Sequence, residues 1–92
     1  MHRNNITLGF LDFIVPPNSG FGTGEMGIHY AAVLVNGEQT DDFTVESLDP
    51  NICVCEKTED GRIQIQTTGT GFGPICVTVG KTTAEFTWVC MP

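Results

Sequence analysis

The chain has 92 residues and carries four Lys and Arg against eleven Asp and Glu, a formal net charge of −7. That length fits one domain with a modest core and no separate catalytic subdomain. Four cations are too few to neutralise a phosphate backbone, which argues against nucleic acid as a partner. The longest uninterrupted apolar stretch, Ala31–Val35, is far too short to span a bilayer, so no membrane partner is expected.

In chain order, residues 1–9 carry little pattern and read as an N-terminal arm or edge segment, with the folded domain expected over 10–92. The run Phe10–Val15 is a strand candidate, stopped by Pro16-Pro17, which lack the N–H a sheet ladder needs. Asn18–Gly27 reads as a glycine-rich loop. Ile28–Val35 is the next strand, and Asn36-Gly37 is the strongest hairpin signal in the chain. A two-residue turn there, with a return strand over Gln39–Glu46, pairs Tyr30 with Phe43 and Ile28 with Val45. Asp49-Pro50-Asn51 marks a corner, and a short strand, Ile52–Glu56, follows.

The register of that short strand stays open. A tight Asp60-Gly61 turn pairs Thr58 with Ile63 and turns Ile52 and Val54 inward. A longer loop over Lys57–Gly61 turns Cys53 and Cys55 inward instead. One residue of slip exchanges the two faces.

The last third is better specified. Arg62–Thr67, Ile75–Val79 and Thr83–Cys90 alternate apolar with polar, the period of a strand with one buried face. A Gly-rich connection, Gly69–Pro74, separates the first two. A Gly80-Lys81 turn sets Val79 against Thr82, Val77 against Ala84 and Ile75 against Phe86, with Trp88 and Cys90 on the same face. No stretch shows a capped 3.6-residue stripe, so the expectation is all-β, about seven short strands in a β-sandwich.

Residues that could carry chemistry have simpler readings. Gly22-Thr-Gly24-Glu-Met-Gly27 has the G-x-G-x-x-G spacing, but a strand run follows it where a dinucleotide site needs a helix. Cys53, Cys55, Cys76 and Cys90 lack the paired knuckle spacing of a zinc site. With no signal peptide visible, they read as reduced, buried thiols, although a bridge from Cys90 to Cys53 or Cys55 stays open. His29 reads as an outward-facing strand residue. Asp41-Asp42 and Glu59-Asp60 read as solvated turns rather than a calcium loop. Asn5-Ile6-Thr7 is a glycosylation sequon that matters only in a secreted chain. The expectation is no catalytic residue, no metal and no cofactor.

Four runs carry a resemblance. Val45-Glu-Ser-Leu-Asp-Pro-Asn-Ile-Cys-Val-Cys55, Gly61-Arg-Ile63, Gly71-Phe-Gly-Pro-Ile-Cys-Val-Thr-Val79 and Lys81-Thr-Thr-Ala-Glu-Phe-Thr-Trp-Val89 resemble the bacterial Ig-like (Big-type) domains. Such domains occur in intimin- and invasin-like adhesins and in virion proteins of tailed bacteriophages. The resemblance covers roughly Gly27 to Val89. It implies a single immunoglobulin-like sandwich and a non-enzymatic structural or interaction module.

Two settings follow from it. The first is a phage capsid or tail decoration protein, made in the host cytoplasm and bound to capsid or tail subunits, with homo-oligomers on the particle included. The alternative is a module of a cell-surface adhesin or carbohydrate-binding protein. Candidate contacts are Arg3, Ile6 and Leu8 on the arm. Phe21 and Phe72, each flanked by glycines, either cap the sandwich or protrude towards a partner.

Overall fold

Positive φ at both Asn36 (52°) and Gly37 (86°) makes a type I′ turn, and Gly80 alone (60°) makes a type II′ turn at Gly80-Lys81. Both hairpins form around these turns. The computed structural model describes residues 5–10, 13–23 and 26–91, and among these every regular element is a strand. There are ten: β1 Ile6–Gly9, β2 Ile14–Val15, β3 Gly20–Thr23, β4 Ile28–Val35, β5 Glu38–Thr40, β6 Thr44–Ser47, β7 Cys53–Lys57, β8 Ile63–Thr67, β9 Gly71–Val79 and β10 Thr82–Cys90. One sheet runs β2-β1-β4-β8-β7, with β5 on the end of β4; the other runs β3-β10-β9-β6.

The β9–β10 hairpin has the expected register: Val79 opposite Thr82, Val77 opposite Ala84, Ile75 opposite Phe86. Ile75, Val77, Phe86, Trp88 and Cys90 are buried, while Val79 and Ala84 pack at the margin of the core. β9 is longer than its apolar run, because Gly71–Pro74 continues as strand against Cys90–Thr87. Pro74 fits there because β6, the neighbour on its other side, ends at Ser47, and Leu48 N–H then donates to the Pro74 carbonyl (2.9 Å).

Four expectations change. Residues 6–9 are not an arm: β1 lies between β2 and β4, and Ile6 and Leu8 alternate into the core. Phe10–Val15 is not one strand. The Phe10 N–H donates to the Phe13 carbonyl (2.8 Å), and the chain doubles back so that Leu8 meets Val15.

The loop expected over Asn18–Gly27 contains β3, which pairs parallel with β10, Phe21 beside Trp88 and Gly22 beside Val89. Glycine hides this strand for a steric reason. Gly22 has φ 156°, and a Cβ there would run into the Val89 carbonyl oxygen.

The return strand after Asn36-Gly37 keeps its register only to Thr40, opposite Val33. The chain then crosses to the other sheet, where β6 pairs with β9. Tyr30 and Ile28 pair with Gln64 and Gln66 of β8, not with Phe43 and Val45. Burial explains the crossing. A continued hairpin would have placed Phe43 beside the exposed Tyr30, whereas the crossing buries Phe43 and sets Val45 opposite the buried Val77.

β7 takes the longer-loop alternative. Lys57 pairs with Ile63 and Cys53 with Thr67, so Cys53 is buried and Val54 faces out. At the corner, the Asn51 N–H donates to the Asp49 carboxylate (3.1 Å) and the Ile52 N–H to the Asp49 carbonyl (3.0 Å). The core lies between the sheets, with Ile6, Leu8, Val33, Ile63 and Ile65 facing Ile75, Val77, Phe86 and Trp88.

Candidate functional site

The residues expected to meet a partner scatter. Arg3 lies outside the described residues. Ile6 and Leu8 belong to the core and cannot anchor a partner without unfolding β1. Phe21 is 7% exposed, and its ring centroid lies 5.2 Å from that of Trp88 and 5.3 Å from that of Phe10. It caps the core, the first of the two roles open to it.

Phe72 is the exception, at 68% exposed. It pairs with Val89 on the outer face of the four-stranded sheet, where the neighbour of Val89 on β3 is Gly22, which has no side chain. Leu48, bonded to Pro74, and Met91, two residues past Val89, are exposed at the same end.

A second surface was not expected. β4 is apolar on both faces. Its inner positions, Ala31 and Val33, are core; its outer ones, Ile28, Tyr30, Ala32 and Leu34, form a row on the outside of the six-stranded sheet. Ile14 of β2 extends the row, at 61% exposed, and Ile28 is 52% exposed. With Gly9, Phe10 and Arg62 these residues line a groove of about 700 Å³.

The Arg62 guanidinium lies 5.0 Å over the Tyr30 ring and pairs with Asp60 at 2.9 Å. The Thr58 hydroxyl bonds to Asp60, and with Arg62 beside it this holds the Asp60 carboxyl below the usual range. Among the described residues, no carboxylate lines the groove itself. The signal for this surface was in the sequence: a strand that reads as a continuous apolar run is one covered on both faces, and IHYAAVLV is such a run.

The chemistry-bearing residues do not converge on a pocket. His29 turns inward, contrary to the outward reading, and its ring centroid lies 5.1 Å from that of Trp88. Its Nε2 is buried with no hydrogen-bond partner among the described residues. Gly22 lies in an extended strand, and no helix opens after Gly27 to hold a pyrophosphate.

All four cysteines are unbridged. Cys76 faces outward between Glu46 and Glu85, while Cys90 faces inward with its Sγ 3.9 Å from the Sδ of Met26. Cys53 and Cys55 sit on the inner face of β7, and Cys53 Sγ lies 3.7 Å from the Ser47 hydroxyl. Among the described residues no three His, Cys, Asp or Glu side chains gather as a metal site would need.

No protein-family model matches the chain, and no curated protein matches it.

Proposed function

We propose that the protein is a non-enzymatic, immunoglobulin-like interaction module that docks on a larger protein assembly, a phage capsid or tail. The observation that carries the docking reading is the outer row of β4. An antiparallel sandwich strand normally alternates between core and water, yet Ile28, Tyr30, Ala32 and Leu34 turn apolar side chains outward, beside Ile14 and Arg62. An aromatic ring, an arginine and aliphatic side chains around a groove that no carboxylate of the described residues lines are the composition of an interface centre, set in a chain that is otherwise acidic.

The immunoglobulin-like reading has support from the strand orders. Taken as β1-β4-β8-β7 and β3-β10-β9-β6, the two sheets follow the order A-B-E-D and A′-G-F-C, with β2 and β5 as short additions. The virion setting rests on the resemblance of Val45–Cys55, Gly71–Val79 and Lys81–Val89 to the bacterial Ig-like domains. Fold alone does not select a function, so the partner has to be tested directly.

Co-sedimentation of the purified chain with particles from its source is that test. The full chain pellets with the particles, and Tyr30→Glu, which puts a charge in the groove without touching the core, stays in the supernatant. If the full chain stays in the supernatant, the virion reading fails. If Tyr30→Glu pellets equally well, the β4 face is not the docking surface.

A further inference from the structure

β3 pairs with β10 on one side and, among the described residues, is the end of its sheet on the other. The Thr87 N–H donates to the Ser19 carbonyl (3.0 Å), which starts the ladder on Ser19. By the alternation of a parallel pair, the ladder continues on Phe21 and Thr23. Gly20 and Gly22 therefore turn their N–H and C=O groups away from β10, and both residues are exposed. The other edge strands carry guards against a foreign strand. Glu46 stands on β6, Glu56 and Lys57 on β7 and Glu38 on β5, while Pro16 follows β2 directly. β3 has neither a charge nor a proline.

The two glycines of β3 differ in what the fold asks of them. Gly22 cannot take a side chain, because its Cβ would run into Val89. Gly20 could take one. Its Cβ would meet only Val89 Cγ2, at 3.5 Å, an ordinary contact, and its φ is not positive. Packing within the chain thus leaves glycine at position 20 unexplained. A glycine inside a strand commonly marks the close approach of another backbone.

We propose that β3 is a self-recognition edge, on which a second copy of this chain pairs its own β3 antiparallel across a two-fold axis at Phe21. Gly20-Phe21-Gly22 reads the same in both directions, which is what a strand needs to pair with itself. Gly20 of one copy then stands opposite Gly22 of the other and exchanges both backbone hydrogen bonds with it. The two four-stranded sheets become one continuous sheet. The Phe21 side chains meet on its inner face as a close cross-strand pair. Phe10 lies beside them, its ring centroid 5.3 Å from that of Phe21. Each copy carries a net charge of −7, so association favours an uncharged contact, and β3 itself supplies one. The β4 face takes no part, and the pairing holds whether or not that face docks on a particle.

Sedimentation equilibrium of the full chain in reductant, with amide hydrogen exchange read by NMR, tests the pairing. A four-residue edge makes a small, weak interface, so the dilution series runs from about 1 mM to about 1 μM. The expected result is a reversible monomer–dimer equilibrium that added salt shifts towards dimer by screening the repulsion. The Gly20 and Gly22 amides should exchange more slowly at the concentrated end. Gly20→Pro removes a free N–H without touching the ladder to β10, and Gly20→Lys puts a charge on the edge. The two-fold axis counts each change twice, so both variants should associate about 10-fold or more weakly. Unchanged exchange of the β9–β10 amides shows that they remain folded. A chain that stays monomeric throughout, or a Gly20→Pro or Gly20→Lys that dimerises like the parent, would overturn the proposal. So would a dimer that Tyr30→Glu abolishes, since that contact would belong to the β4 face.

Discussion

The indole Nε1 of Trp88 donates a hydrogen bond to the hydroxyl of Thr67 at 3.0 Å, joining the two sheets through the middle of the core. Both residues are buried, so no water replaces either partner. Thr67→Val keeps the volume and removes the acceptor, leaving the indole N–H unpaired. It should cost about 1–3 kcal/mol in urea unfolding. A loss below the error of the measurement would mean the bond adds nothing to the packing of the two side chains.

Phe86 and Glu85 are neighbours on β10 that face opposite ways, the first fully buried and the second exposed. Phe86→Ala should cost about 3–5 kcal/mol through the cavity it leaves. Glu85→Ala should stay within about 0.5 kcal/mol of the parent. Equal effects on the urea midpoint would contradict the assigned register.

Gly22 and Gly27 share a positive φ but differ in surroundings. A Cβ at Gly27 meets nothing within 4 Å, whereas one at Gly22 runs into backbone atoms of Val89. Gly27→Ala should therefore cost only its backbone strain, about 1–3 kcal/mol. Gly22→Ala should cost distinctly more, because β3 must leave β10 to make room. Thermal unfolding of the two variants side by side compares them; a Gly22→Ala loss no larger than that of Gly27→Ala would argue against the parallel pairing.

The Cys53–Cys55 pair predicts a pH profile. The Cys55 thiol donating to Cys53 is the main cause that lowers Cys53 to about 7, with Ser47 adding to it against the opposing effect of burial. The same bond and burial push Cys55 up. A lowered folded value means that Cys53 contributes stability fully present above its ordinary value of 9.0 and lost as pH falls through about 7. Raised Cys55 works oppositely, and its contribution is lost as pH rises beyond its ordinary value. Stability should climb between about pH 7 and about pH 9 and then decline. Urea midpoints across that range, compared with those of Cys55→Ala, isolate the effect. The climb should vanish in the variant, and a climb that persists unchanged would remove the pair as its source.

What was legible in the sequence was whatever two independent signals agreed upon. At Val79–Thr82 a glycine turn and an unbroken alternation pointed to one register, and that register is the one found. At Cys53–Lys57 the alternation allowed two faces, and the loop length that decides between them is set by contacts at Thr58, whose hydroxyl accepts from the Arg62 N–H (2.9 Å). The Asn36-Gly37 turn was legible, but not the point where its hairpin gives way. That depends on the burial of Phe43, a tertiary effect with no local mark. β3 was concealed because close approach to Val89 demands glycine, and glycine reads as loop. Of the surface residues, Phe72 protrudes, as its glycine neighbours allowed. Ile6 and Leu8 looked like an arm because two inward residues are too few to show a period.

The parallel pairing of β3 with β10 joins Gly20 to Thr87 and Thr23 to Cys90, residues from opposite ends of the chain. During synthesis the early strands therefore emerge with one sheet still lacking its centre. Phe21 has no Phe86 or Trp88 to rest on until those residues, more than sixty positions later, have left the ribosome. The β9–β10 hairpin, closed by a two-residue turn, can then form quickly, while docking β3 onto it must bring distant segments together and sets the pace. The nascent N-terminal half waits with apolar strands uncovered, and that interval is when this chain is most exposed to aggregation.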